Sequence, residues 1–63
     1  MNRLKELRME RNWTQGQLAK KMGVTRTAVV KWETGKAYPT TEKLIELARI
    51  FECQVDYLLC DKV

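Results

Sequence analysis

Apolar residues recur along this chain at helical spacing. The polar breaks between them carry residues suited to ending one helix and starting the next. Leu4, Leu7 and Arg11 share one face of a first helix, with Arg8 on the same stripe. Asn12 suits the left-handed residue that ends this helix, and Trp13 can fold back as the apolar contact after it. Thr14-Gln15-Gly16-Gln17 fits the capping box, in which a threonine hydroxyl and a glutamine side chain each satisfy the other's backbone amide. Leu18, Ala19 and Met22 then form the buried stripe of a short second helix that stops at Gly23. Thr25 is a good N-cap for a third helix from Arg26 to about Glu33, with Gly35 just past its end. Thr40, after Pro39, caps a fourth helix with Leu44, Leu47, Ala48 and Phe51 inward, and Glu52 stands at its exit where a glycine would be comfortable. A last short helix, roughly Val55 to Leu59, adds Val55, Leu58 and Leu59 to the core. The expected fold is all-α: five short helices in one domain over residues 1–63.

One stretch resists this pattern. Val24, Thr25, Thr27, Val29 and Val30 are β-branched, which favours a strand on local propensity. Helix-period burial, a threonine cap before the stretch and Gly35 after it point the other way. The surrounding residues then acquire a meaning. Counting Gln15 as the first residue of its helix, Ala19 is the fifth and Gly23 the ninth, and the next helix places Val29 and Trp32 inward. Two helices that cross steeply need a small residue at their closest approach, which Ala19 supplies. The tight turn between them needs a residue tolerant of positive φ, which Gly23 supplies. This is the pattern of a helix-turn-helix over about residues 14–34.

Composition narrows the function. Sixty-three residues suffice for one small domain. The first residues are charged throughout, with no apolar run of a signal peptide, and no stretch approaches a membrane span. The expectation is a cytoplasmic protein whose Cys53 and Cys60 are reduced, structural thiols. The chain contains no histidine, and two cysteines cannot close a zinc shell, so no metal is expected. With no serine either, and no phosphate-binding loop, an enzyme is set aside, and neither a cofactor nor a small-molecule ligand is expected. The formal charge of +4 is uneven: residues 1–38 carry nine Lys/Arg against Glu6, Glu10 and Glu33, and the remainder carries three against five acids. A basic half on an otherwise acidic small domain suggests a side that faces a polyanion.

The segments NRLKELR, TQGQLAKKMGV, KWETGKAYP and LIELARIF through VDYLL together resemble the Cro/repressor-type (XRE-type) helix-turn-helix family of phages and bacteria, along nearly the whole chain. The resemblance implies the lambda-repressor-like fold, with the third helix in the major groove of double-stranded DNA. It further implies a transcriptional regulator that binds a palindromic operator as a homodimer. With Val29 inward, the third helix turns Thr27, Lys31 and Thr34 to the opposite face and sets Arg26 and Val30 on its flank. These match the family's DNA-facing positions. Arg26 and Lys31 can donate to guanine, Thr27 can hydrogen-bond or touch a thymine methyl, and Val30 can meet a thymine methyl. Thr14 and Gln15 match the family's backbone-contacting positions at the start of the second helix, where free amides face outward. Thr25 either holds a phosphate or caps its helix. The loop after the third helix offers Thr34, the Gly35 amide, Lys36 and Tyr38 to phosphates. Lys20 and Lys21 read as a solvated face that contributes a general field. Trp13 and Trp32 read as packing residues. By the resemblance, Arg8 and Glu33 form an ion pair that ties the reading helix to the scaffold.

The chain also departs from the family. Gly16 stands where a helix former is usual, and Ala28 and Val30 replace polar residues common on the third helix, which thins its hydrogen-bond readout. Dimer contacts are expected around Tyr57, Leu58 and Cys60, with a packing-only role as the alternative. Repression is the expected outcome of binding. The alternative function is a protein-interaction module, such as an antitoxin that uses the same domain to hold a partner.

Overall fold

Three of the helices begin at a threonine whose hydroxyl can accept from one of the first-turn amides that have no partner within the helix. Thr14, Thr25 and Thr40 each have extended backbone, and their hydroxyls accept from the amides of Gln17, Ala28 and Lys43 at 3.0, 3.2 and 3.3 Å. At Thr14 the box is complete, because the Gln17 side chain accepts from the Thr14 amide at 2.8 Å. A computed structural model describes residues 2–59 of the chain. Its helices are α1 (Asn2–Glu10), α2 (Gln15–Met22), α3 (Arg26–Thr34), α4 (Thr41–Ile50) and α5 (Val55–Leu59).

Each helix contributes one side chain with no exposed surface: Leu4, Leu18, Val29, Leu47 and Leu58 in chain order. Around these close Leu7, Ala19, Met22, Trp32, Ala48 and Phe51. Burying a side chain of this size contributes about 1.5–3 kcal/mol, so the five central residues account for much of what holds so small a domain together. α2 packs most extensively against α3; α1 lies against α3 and α5, and α4 against α5 and α2. The β-branched stretch is helical, since Val29 has a place in the core and both ends of α3 are capped.

Helix exits divide into two kinds. α2 and α3 leave through Gly23 and Gly35 at φ 70° and 82°. α1 and α4 are followed by Asn12 and Glu52 at φ 60° and 54°, the same left-handed region with a side chain present. Trp13 folds back over the core edge, its ring 5.5 Å from that of Phe51. The Arg11 guanidinium sits over both rings and donates to the Phe51 carbonyl at 3.4 Å, which ties the end of α1 to the end of α4. Burial pushes the nearby Cys53 thiol up from its ordinary value, with the Arg11 charge pulling the other way.

Two expectations about α5 need correction. Leu59, expected in the core, is 48% exposed, because Leu58 takes the inward position and the next residue is carried round to solvent. Leu58, expected among dimer contacts, is fully buried and therefore has no surface to offer another chain. Among the described residues, no helix is long and apolar enough to cross a membrane.

Candidate nucleic-acid interface

The outer face of α3 is built by elimination. Val29, Trp32 and Glu33 are buried beneath it, which leaves Arg26, Thr27 and Lys31 exposed and Val30 half-buried beside them. Positions 26, 27, 30 and 31 fall on one stripe of a helix. The stripe thus offers a guanidinium fork, an ammonium, a hydroxyl and an apolar patch, the kinds of group that base edges in a major groove accept.

What fixes this helix is a buried polar cluster. Arg8 of α1 and Glu33 of α3 are 9% and 6% exposed. The Arg8 Nε donates to Glu33 Oε2 at 2.7 Å and Nη2 to Oε1 at 3.3 Å, a two-pronged pair. Nη1 donates to the Trp13 carbonyl at 2.7 Å, so the same guanidinium also holds the turn between α1 and α2. Gln15 completes the cluster: its Nε2 donates to Glu33 Oε1 at 3.1 Å. No buried side-chain polar atom among the described residues lacks a partner. A buried pair with its remaining valences satisfied is the form in which two charges can be held out of water without great cost.

The start of α2 lies next to this cluster. Capping takes care of the Thr14 and Gln17 amides, so helix geometry leaves those of Gln15 and Gly16 directed out of the helix end. A cleft of about 640 Å³ opens there, lined among others by Arg8, Asn12, Thr14, Gln15, Gly16 and Arg26. The Arg8 charge is met by Glu33, but Arg26, the outward amides and the positive end of α2 make this cleft attractive to an anion.

The structure sorts the other expected phosphate partners. The Thr14 and Thr25 hydroxyl oxygens both act as caps, and each keeps its proton for a further acceptor. In the free protein the Thr34 hydroxyl donates to the Val30 carbonyl at 2.9 Å. The Gly35 amide likewise donates back to the Trp32 carbonyl at 3.4 Å as part of the α3 cap. In this arrangement both residues shape the turn that follows α3, and both are exposed. Lys36 and Tyr38 are exposed beyond that turn. Lys20 and Lys21 are exposed on α2, where the Lys21 ammonium stands 4.8 Å over the Trp13 ring. Trp32 is buried.

Of the expected dimer residues, Tyr57 is 42% exposed. Arg3 donates to its hydroxyl at 3.2 Å and lies 4.4 Å above its ring. Cys60 lies outside the described residues. The Gln15–Glu33 and Arg8–Trp13 bonds, and a Lys43 bond to the Met22 carbonyl at 3.1 Å that caps α2 from α4, were not foreseen. Two of them join residues eighteen and twenty-one positions apart, and all three use groups that no periodicity marks. The pairing of a buried glutamate with a nearby glutamine is the one signal that could have suggested the first.

Comparison with known proteins agrees with this geometry. Residues 4–58 match the helix-turn-helix family. The chain is 46% identical over 57 residues to the HTH-type transcriptional activator BcrR of Enterococcus faecalis, covering 90% of this chain and 28% of that protein. It is 39% identical over 54 residues to an uncharacterized HTH-type transcriptional regulator of Archaeoglobus fulgidus, covering 86% and 76%. It is 38% identical over 56 residues to the cryptic phage CTXphi transcriptional repressor RstR of Vibrio cholerae, covering 89% and 50%. The chain thus spans from about a quarter to three quarters of the length of these relatives. No solved structure gives a significant match. The capped helix pair, its glycine turn and the family match along most of the chain place this protein in the XRE/Cro-like helix-turn-helix family of DNA-binding transcriptional regulators, with its lambda-repressor-like all-α fold.

Proposed function

We propose that this chain is a sequence-specific DNA-binding module that represses transcription by occupying a palindromic operator as a homodimer. α3 enters the major groove, with Arg26, Thr27, Val30 and Lys31 at base edges. Phosphates on either side are held by Thr14, Gln15 and the α2 amides, with Thr25, Lys36 and Tyr38 as further contacts. The observation that carries this reading is the exposed Arg26–Lys31 stripe on a helix locked to the scaffold by the buried Arg8–Glu33 pair.

Dimerisation follows from reach. Nine helical residues span about 13 Å, roughly four base pairs of groove, too few to specify one site in a genome. Two copies related by a two-fold axis double the readout. Tyr57 and Leu59, half-exposed on α5, and Ile45 on α4 supply apolar surface for that contact. One relative is named an activator and another a repressor. Repression is preferred here because occupying a site requires no further surface.

Selection from a library of random duplexes at several salt concentrations tests the reading. The expected result is an inverted repeat with half-sites about one helical turn apart, and affinity that falls steeply with salt. Recovery of no motif with a shallow salt slope would overturn it.

A further inference from the structure

Glu33 reaches no nucleic acid in the reading above, where its part is to hold α3 through Arg8. Its carboxylate nevertheless gathers three donors, two from Arg8 and one from Gln15. The third has a consequence for DNA. A carboxylate only accepts, so the Gln15 amide must turn its nitrogen toward Glu33; the flipped orientation would set oxygen against oxygen. That nitrogen carries two hydrogens about 120° apart in the amide plane. Glu33 Oε1 takes one at 3.1 Å. Gln15 is only half-buried and lines the cleft with Thr14 and Gly16, so the second hydrogen is free to be presented beside the outward amides of α2.

We propose that Glu33 is a positioning residue for DNA binding: by fixing the Gln15 amide it makes this side chain a phosphate donor, where an unoriented glutamine would present its carbonyl oxygen as readily. The Arg8–Glu33 pair therefore serves both to hold α3 and to aim a group on α2. This rests on the DNA-binding reading. It adds an orienting role that a purely structural ion pair would not have.

A double-mutant cycle on the selected operator tests it, with Gln15→Met, Glu33→Gln and the double variant, affinity and urea midpoint being measured for each. Loss of one hydrogen bond to a charged group predicts a roughly ten-fold weaker complex for Gln15→Met. In the Glu33→Gln background, where the amide can flip, the same change should cost less than about three-fold. An equal loss in both backgrounds overturns the proposal. The wild-type chain gives a second reading that needs no variant to fold. The two Gln15 side-chain amide protons are distinct by NMR; one should lie downfield in the free protein, and the other should move downfield only when operator DNA is added. Absence of that second shift in a saturated complex also overturns it. Failure of the protein to bind any duplex would instead remove the DNA reading itself, and this proposal with it.

Discussion

The two ends of this small domain handle charge and turns in opposite ways. At the corner where α1, α2 and α3 meet, the Arg8–Glu33 pair is buried and, among the described residues, no buried side-chain polar atom lacks a partner; both helix-turn-helix exits are glycines. At the α4–α5 end, the Lys43–Glu46 pair is loose at 3.6 Å on side chains 34% and 49% exposed, and α4 exits through Glu52 in a left-handed conformation. In the function proposed above, the first corner presents groups to DNA, which demands fixed geometry. The second only has to close the core. The difference teaches where precision resides: in the junction that aims α2 and α3, not uniformly over the fold.

The largest contrast should come from cutting the buried pair. Arg8→Ala leaves the Glu33 carboxylate buried with only Gln15 as a donor, and should destabilise the domain by on the order of 3 kcal/mol in urea denaturation. An undiminished midpoint, with DNA binding alone weakened, would mean that Arg8 is a phosphate contact and that the two corners do not differ as claimed.

The turns come next. Gly23→Ala and Gly35→Ala meet no atom within 4 Å of the added methyl, so their cost is purely conformational, about 1–2 kcal/mol each. Glu52→Gly runs the other way: relief of the left-handed glutamate, less glycine's chain entropy, should stabilise by about 0.5–1 kcal/mol. Asn12→Gly should change little, because asparagine tolerates this region. Thermal unfolding of the four variants orders them; a stabilising Gly23→Ala would refute the assignment of strain.

Gly16 separates stability from binding within the first corner. Its added methyl would lie 3.8 Å from the Thr14 hydroxyl oxygen, ordinary contact, so nothing inside the protein requires glycine there. Gly16→Ala should stabilise α2 by about 1 kcal/mol. If the backbone must approach a phosphate closely at the α2 terminus, the same variant binds operator more weakly despite being more stable. Higher stability with unchanged affinity would show that glycine has no part in DNA contact.

How much of this was legible in the sequence depends on how local each cause is. Threonine caps, the capping box at Thr14 and the glycine exits are chemistry within a few residues, and they overrode the strand propensity of Val24–Val30. The inward positions of α1 to α4 followed from periodicity. In α5, five residues are too few for a period to distinguish Leu58 from Leu59, and only packing decides which is buried. The exposed stripe of α3 could be drawn by placing Val29 inward. The bonding of its neighbours could not: which carbonyl the Thr34 hydroxyl or the Gly35 amide donates to is settled only in the folded chain. The Gln15–Glu33 bond spans eighteen positions and needs the folded corner to exist.

The smallest expected effect is at the loose pair. Lys43 and Glu46 are three residues apart on α4, and most of their Coulomb attraction is screened by water. Glu46→Ala should shift stability by less than about 0.5 kcal/mol, and the shift should vanish as salt is raised. Lys43→Ala should cost more than its partner does, because its ammonium also holds the Met22 carbonyl at the end of α2. That inequality between the two halves of one ion pair is the sharpest form of the comparison: at this end a charge matters for the helix-turn-helix terminus it caps, not for the opposite charge beside it. Equal losses from Glu46→Ala and Lys43→Ala, both abolished by salt, would assign the stabilisation to the pair after all.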